Sequence, residues 1–310
     1  MRVSAVRERN ISDGTLGSLP VFCRLLVALC LASAAAAQSL TVPDSKAQFS
    51  NPQRVTVRDY DGDAMEPFLT RDGRILFFNN LNEPTVNTNL HWAERVDDLT
   101  FQHQGEIAGV NTPALEGVAS MDREGNFFFV SPRSYDKTAS TLYRGHFSEG
   151  TVTKVELVPG VSLAKPGIVN FDAEISADGN TLYFVESEFD RSGHPRAARI
   201  LFAHRSDGAF VRSADSARIL QTINNDALNY APATSSSGLE IFFTRLDPGG
   251  PAIYSASRSS VSAPFDKPAR ILAITGFVEG PTLSPDEKSL YYHKKENGHF
   301  VIYRVTRSVM

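Results

Sequence analysis

The sequence has 310 residues, of which 31 are Lys or Arg and 35 are Asp or Glu, so its formal net charge at pH 7 is −4. A mildly acidic chain without a Lys/Arg cluster is poorly suited to nucleic acid, and we expect no nucleic-acid partner. Hydrophobic residues make up 42% of the chain and there are two cysteines, which favours a sizeable core over a disulfide framework.

Residues 1–37 have the features of a signal peptide. The short apolar run at residues 25–32 is followed by small residues at 33–37, a pattern typical of a cleavage site. Both cysteines lie in this segment, so the mature chain has none. We therefore expect an exported protein, periplasmic or secreted, that is cleaved before Gln38 and has no disulfide and no later transmembrane segment.

From residue 66 onward one pattern returns five times: a small or Pro-containing segment, a polar turn, and an apolar strand rich in aromatic residues. The turns end at Gly73, Gly125, Gly179, Gly238 and Glu287. By subtraction these positions are 52, 54, 59 and 49 residues apart. A regular spacing of this size predicts a repeat architecture.

Two further strands follow each aromatic strand in four of the five units. One shows alternating apolar and polar residues and ends near a basic residue, and the other is a less regular outer strand. No sustained helical period is present after residue 37. The pattern predicts an all-β fold, a five-bladed β-propeller of four-stranded antiparallel blades, formed by residues 38–310 as one domain.

The fifth unit lacks an outer strand, because the chain stops soon after its third strand. Residues 54–58 form a strand-like segment that belongs to no repeat. We expect this N-terminal strand to complete the last blade and close the ring, since an open ring would leave two unpaired sheet edges.

The copies at residues 68–78, 174–184 and 282–292 resemble the PD40 repeat, the WD40-like unit of TolB-type propellers. They share a Ser or Thr, then Pro, Ala or Arg, then Asp-Gly or a variant of it, and an aromatic strand; 283–286 match best. The resemblance implies an exported or periplasmic propeller that acts as a binding scaffold for a protein, peptide or glycan. It identifies no site, because the repeat residues build turns and core.

A polar residue lies at or just before each predicted innermost strand, where the blades of a propeller converge on the axis. These central-channel candidates for ligand binding are Glu66, Glu116, Asp172, Asn229 and Glu279. Oxygen ligands of this kind suit a polar ligand or Ca²⁺, and clustered carboxylates shift one another's pKa. We therefore expect a polar ring at the axis, with Ca²⁺ as a possible occupant.

The alternative is a hydrolase or lyase that acts on a carbohydrate or another small substrate in the channel. A catalytic pair would come from different blades, such as Glu66 with Asp172 or Glu279, with carboxyl groups roughly 5 to 9.5 Å apart. The sequence has no Gly-x-Ser-x-Gly elbow and no zinc-motif spacing of histidines. No catalytic residue is therefore assigned, and the binding scaffold remains the leading interpretation.

Overall fold

The computed structural model describes residues 49–82, 87–190, 195–224 and 227–307. Within these ranges the regular structure is nearly all strand, with two single-turn helices, α1 (Tyr135–Thr138) and α2 (Ser216–Ile219). No helix in the described part is long and apolar enough to cross a membrane. The predicted signal peptide lies outside the described residues.

The strands form five sheets, each of which is one blade that runs from an innermost to an outermost strand. The chain begins with β1 (Phe49–Arg54) and β2 (Thr56–Arg58). Blade 1 consists of β3 (Met65–Leu69), β4 (Ile75–Asn79), β5 (Leu90–Asp97) and β6 (Thr100–Glu106). Blade 2 consists of β7 (Gly117–Met121), β8 (Asn126–Val130), β9 (Leu142–Ser148) and β10 (Thr151–Leu157).

The remaining blades follow the same order. Blade 3 consists of β11 (Ile168–Ile175), β12 (Thr181–Phe189), β13 (Pro195–Ser206) and β14 (Ala209–Arg212). Blade 4 consists of β15 (Asn229–Thr234), β16 (Glu240–Asp247), β17 (Gly250–Ser257) and β18 (Ala269–Arg270). Blade 5 consists of β19 (Val278–Leu283), β20 (Ser289–Glu296), β21 (His299–Arg307) and β1. The predicted five-bladed β-propeller is confirmed.

The repeated polar turns connect the innermost strand of each blade to its second strand. In blade 1 the backbone of Gly73 is left-handed, with φ of 72°, and its N–H donates to the Thr70 carbonyl at 2.7 Å. The Asp72 carboxylate accepts from Thr70 Oγ1 at 2.6 Å and from Arg74 N at 3.0 Å. The same pair of Asp-centred hydrogen bonds recurs at Asp178 and Asp286. The PD40-like motif is thus a turn that keeps its own polar groups hydrogen-bonded.

The first and last strands of the described residues pair and close the ring, but the closing segment is an earlier one than we predicted. In β1, Phe49 lies opposite Arg307 and Arg54 lies opposite Tyr303. The predicted segment, 54–58, contributes to this pairing only its first two residues, and β2 then pairs in parallel with β6 of blade 1. The apolar side chains that suggested a strand there, Val55 and Val57, instead pack in the seam between blades 5 and 1.

The core lies between neighbouring blades, where the aromatic second strands pack against one another. Between blades 1 and 2, for example, Phe77 makes edge-to-face contacts with Phe127 at 5.1 Å and Phe147 at 4.8 Å, measured between ring centroids. These rings are buried, and contacts of this kind stabilise beyond the area they bury. The packing fixes the five innermost strands around the propeller axis.

Candidate functional site

Each innermost strand carries a β-bulge at the same place in the repeat, marked by one residue with a left-handed backbone. The φ angles are 51° at Glu66, 55° at Val118, 50° at Asp172, 48° at Ala231 and 63° at Gly280. The pairing register shifts at each of these positions. All five residues line a cavity on the propeller axis, so the bulges set which side chains meet there.

The five predicted channel residues do not occupy one register position. Glu66 and Asp172 are bulge residues, and Glu279 precedes the bulge by one residue. Glu116 and Asn229 precede the corresponding bulges by two residues. A bulge interrupts the regular alternation of side chains along a strand, so the offset from the bulge decides where each of these side chains points.

Two of the five residues are held away from the acids at the axis. Both carboxylate oxygens of Glu116 accept hydrogen bonds from Thr112, and Ser131 Oγ donates to Oε1 at 2.7 Å, while Arg133 Nη2 lies 3.3 Å away. Asn229 Oδ1 accepts from Arg245 Nε at 2.8 Å. Glu116 and Asn229 therefore stabilise loops within their own blades in this structure.

The other three, Glu66, Asp172 and Glu279, converge, and their network includes His293, which the sequence analysis did not place at the axis. The Glu66 backbone N–H donates to His293 Nδ1 at 2.9 Å, so the neutral ring carries its proton on Nε2. That nitrogen lies 3.2 Å from Glu279 Oε2, and the Tyr230 hydroxyl donates to Glu279 Oε1. Asp172 Oδ2 accepts from the Ala231 N–H at 2.8 Å.

Burial and mutual repulsion favour the protonated forms of two of these acids. Burial, followed by the charge of Asp172, raises the pKa of Glu66 to about 8, although the nearby amides of Asn82 and Asn79 lower it in part. Burial, with a smaller contribution from Glu279, raises the pKa of Asp172 to about 7. The cluster therefore carries fewer negative charges near neutral pH than its carboxyl groups would carry in water.

The axis offers little space at these acids. The cavity that contains Glu66 and Asp172 has a volume of about 30 Å³, enough for a water molecule or two. Toward the face that carries the turns, which we call the turn face, Arg71 Nη2 pairs with Glu174 Oε1 at 2.9 Å. Glu174 also accepts from Ser120 Oγ at 3.1 Å. Through these two contacts Glu174 joins blades 1, 2 and 3.

No group of three or more His, Cys, Asp or Glu side chains in the described ranges is arranged to hold a metal ion. The Ca²⁺ site stays a prediction.

A much larger space opens on the turn face, between blades 3 and 4. This groove has a volume of about 430 Å³. Its lining comes from the turns and strands of both blades, from the segment just before α2 and the last residue of that helix, and from the loop after β17; it includes Tyr183, Phe202, His204, Arg258 and Val261. The sequence analysis missed this groove, because its lining residues come from segments that are far apart in the chain.

The signal for His293 was present in the sequence. His293 pairs with Glu279 between strands β19 and β20. The equivalent positions in the other blades are Asn79, Val130, Val185 and Thr244. A polar residue at the end of an apolar, aromatic strand marks a side chain that faces the axis.

Comparison with known proteins shows the fold. No family model and no curated protein matches the sequence. Among solved structures, TolB from Acinetobacter baumannii matches at 17% identity over 80% of this chain and 55% of that chain, with a TM-score of 0.44, so this chain spans about half of that TolB. The catalytic domain of Coprinopsis cinerea GH62 α-L-arabinofuranosidase matches at 12% identity over 84% and 96%, with a TM-score of 0.52.

An α-L-arabinofuranosidase from Podospora anserina, solved in complex with cellotriose, matches at 11% identity over 85% of this chain and 96% of the enzyme, with a TM-score of 0.51. TolB, which is also the family that the turn motifs resemble, is thus among the matching structures. At these identities the likeness concerns the propeller fold, and we infer no activity from it.

Proposed function

We propose that this protein is an exported binding propeller that holds a glycan in the groove between blades 3 and 4. Export rests on the signal-peptide features of residues 1–37. The observation that carries the proposal is the contrast in space: about 430 Å³ in the groove against about 30 Å³ at the axial acids. Ligand pockets typically measure about 300–1,000 Å³, which the groove meets and the axis does not.

The chemistry of the lining favours a glycan over a peptide. Hydroxyl groups, which both donate and accept hydrogen bonds, are numerous in the groove: Ser213, Thr234, Ser235, Ser236, Ser237 and Ser262. Strands β12 and β13, which contribute Tyr183, Phe202 and His204 to the lining, are already paired on both sides, and β15 contributes only its last residue, Thr234. An extended peptide would therefore find no free strand edge to pair with, whereas sugar hydroxyls match the serine side chains.

The test is calorimetric titration of the mature protein with neutral and acidic oligosaccharides, repeated with Ser236→Trp, which fills the groove. We expect at least one oligosaccharide to bind, Ser236→Trp to abolish that binding, and the axial control Glu66→Gln to retain it. Failure of the whole panel to bind, or binding unaffected by Ser236→Trp, would contradict the proposal.

A second candidate function is hydrolysis or elimination at the axial acids. One observation favours it: Glu66 and Asp172 have pKa values raised to about 8 and 7, which suits general acid–base work near neutral pH. Several matching structures are also glycoside hydrolases, such as the GH62 domain. Release of reducing sugar from an oligosaccharide that is lost in Glu66→Gln would support this candidate and contradict the non-catalytic proposal.

A further inference from the structure

In four blades an arginine occupies the same position near the end of the third strand. It directly follows the residue that pairs with the first residue of the second strand. Its backbone N–H donates to the carbonyl of the residue just before the second strand. The four arginines are Arg95, Arg205, Arg258 and Arg307. Blade 2 has Phe147 there. Since the four arginines are equivalent, their partners can be compared directly.

Three of the four have a carboxylate partner. Arg307 forms a two-pronged pair with Glu240 of the neighbouring blade 4, at 3.0 and 3.1 Å. Arg205 Nη2 lies 4.0 Å from Asp122 of the neighbouring blade 2. Arg95 pairs with Asp98.

Arg258 differs from the others. Its Nε donates to the Gly238 carbonyl at 2.7 Å, its Nη2 donates to the Tyr183 hydroxyl at 3.2 Å, and the guanidinium lies 4.4 Å from the centroid of the Phe265 ring. No carboxylate in the described ranges lies within ion-pair distance of it, and the residue is only 7% exposed. A buried cation without an anion is costly, so the site favours an anion from outside.

The register explains the missing acid. Glu240, which pairs with Arg307, is the first residue of β16 in blade 4. Arg258 belongs to blade 4, and the neighbouring blade is blade 3. The first residue of the second strand of blade 3, β12, is Thr181. Thr181 and Arg258 both line the groove, so the place of the expected carboxylate opens into it.

None of the other charged groups that line the groove forms an ion pair with Arg258 among the described residues. Asp215 is paired with Arg218 at 2.8 Å. Asp178 stays ionised, because hydrogen bonds from Ser176 and Asn180 lower its pKa, and these bonds occupy both of its carboxylate oxygens. Arg123 is exposed and lines both the groove and a small neighbouring cavity that includes Arg71. It has no ion-pair partner among the described residues.

We propose that the groove between blades 3 and 4 binds a uronic-acid saccharide, whose carboxylate pairs with Arg258 in the place that Glu240 occupies beside Arg307. The inference rests on the proposed glycan-binding function and adds the charge of the ligand to it. The guanidinium fork matches a carboxylate through two parallel hydrogen bonds, and the surrounding hydroxyls accommodate the sugar. The exposed Arg123 supplies a second positive charge for a neighbouring uronate.

The experiment is calorimetric titration with trimers of galacturonate, glucuronate and mannuronate, each compared with its methyl ester, which keeps the sugar and removes the charge. We expect at least one acid trimer to bind and its ester to bind about ten- to hundredfold more weakly, the range of a lost charge-assisted hydrogen bond. Arg258→Gln should produce a similar loss. The matched control is Arg205→Gln, the equivalent arginine outside the groove, which should bind as the unmodified protein does.

A second variant tests the site without any ligand. Thr181→Glu places an internal carboxylate beside Arg258, so it should abolish trimer binding and raise the urea midpoint of unfolding. The rise should vanish when Arg258→Gln is also present. No rise in the midpoint, or a rise that persists in the double variant, would show that the place beside Arg258 is not a carboxylate site.

The outcomes separate this inference from the proposed function. Equal binding of acids and esters would overturn the charge inference and leave glycan binding intact. Binding of no saccharide at all would contradict both. A triglutamate peptide that binds more tightly than every uronate trimer would overturn the choice of a saccharide while retaining the carboxylate site at Arg258.

Discussion

The ion pair on the propeller axis makes a large and measurable contribution to stability. Replacing Glu174 by Ala leaves the Arg71 guanidinium, with a side chain only 13% exposed, without its carboxylate, and Arg71 Nε already has no hydrogen-bond partner among the described residues. It also removes the acceptor of the Ser120 hydroxyl. Removing one partner of a buried pair costs about 3–5 kcal/mol, a large part of the about 5–15 kcal/mol that stabilises a typical domain.

The assay is urea unfolding followed by circular dichroism, in which Glu174→Ala should lower the midpoint without changing the slope. The control is Glu156→Ala, which breaks an exposed pair with Arg144 and should cost at most about 1 kcal/mol. Replacing both axial residues, Arg71→Met with Glu174→Leu, should restore most of the stability, because no unpaired charge is then buried. An effect of Glu174→Ala no larger than that of Glu156→Ala would refute this account of the axis.

Two further predictions concern ring closure and pH. Phe49→Ala should cost about 3–5 kcal/mol in urea unfolding, because Phe49 is buried against Phe242 and beneath Arg307; a cost below about 1 kcal/mol would contradict closure through β1. Glu66 and Asp172 have folded pKa values above their unfolded ones, so the folded state binds more protons between about pH 4 and 8, and their contribution to stability falls as pH rises through that window. The decline in urea midpoint from pH 5 to 8 should be smaller in Glu66→Gln, and an unchanged decline would contradict the assigned shift.

The architecture could be predicted from the sequence because its signals are local. The turn at Gly73 and its equivalents requires a left-handed residue and a self-contained set of hydrogen bonds, and the aromatic strands are continuous apolar runs. Closure of the ring could be inferred as well, since blade 5 lacks a strand. The closing segment was misplaced because Val55 and Val57 fit a strand edge and an inter-blade seam equally well by sequence.

The site was harder to predict, because it depends on register and on contacts between blades. The position of a carboxylate relative to the bulge decides where its side chain points. Glu66 is the bulge residue and reaches the axis, whereas Glu116 lies two residues before the bulge and turns into its own blade. His293 is a polar residue after an apolar, aromatic run, but only the strand register places it opposite Glu279, and the role of Arg258 depends on its neighbours in the adjacent blade. The absence of an acid at Thr181 becomes informative only when the four equivalent arginines are compared.

The most direct test of the account is a crystal structure of the mature protein soaked with the uronate trimer that binds best. We predict density for the sugar between blades 3 and 4, with a carboxylate within hydrogen-bond distance of Arg258 and no sugar at the axis. Density for the sugar beside Glu66, Asp172 and Glu279, with the groove left empty, would contradict the central claim.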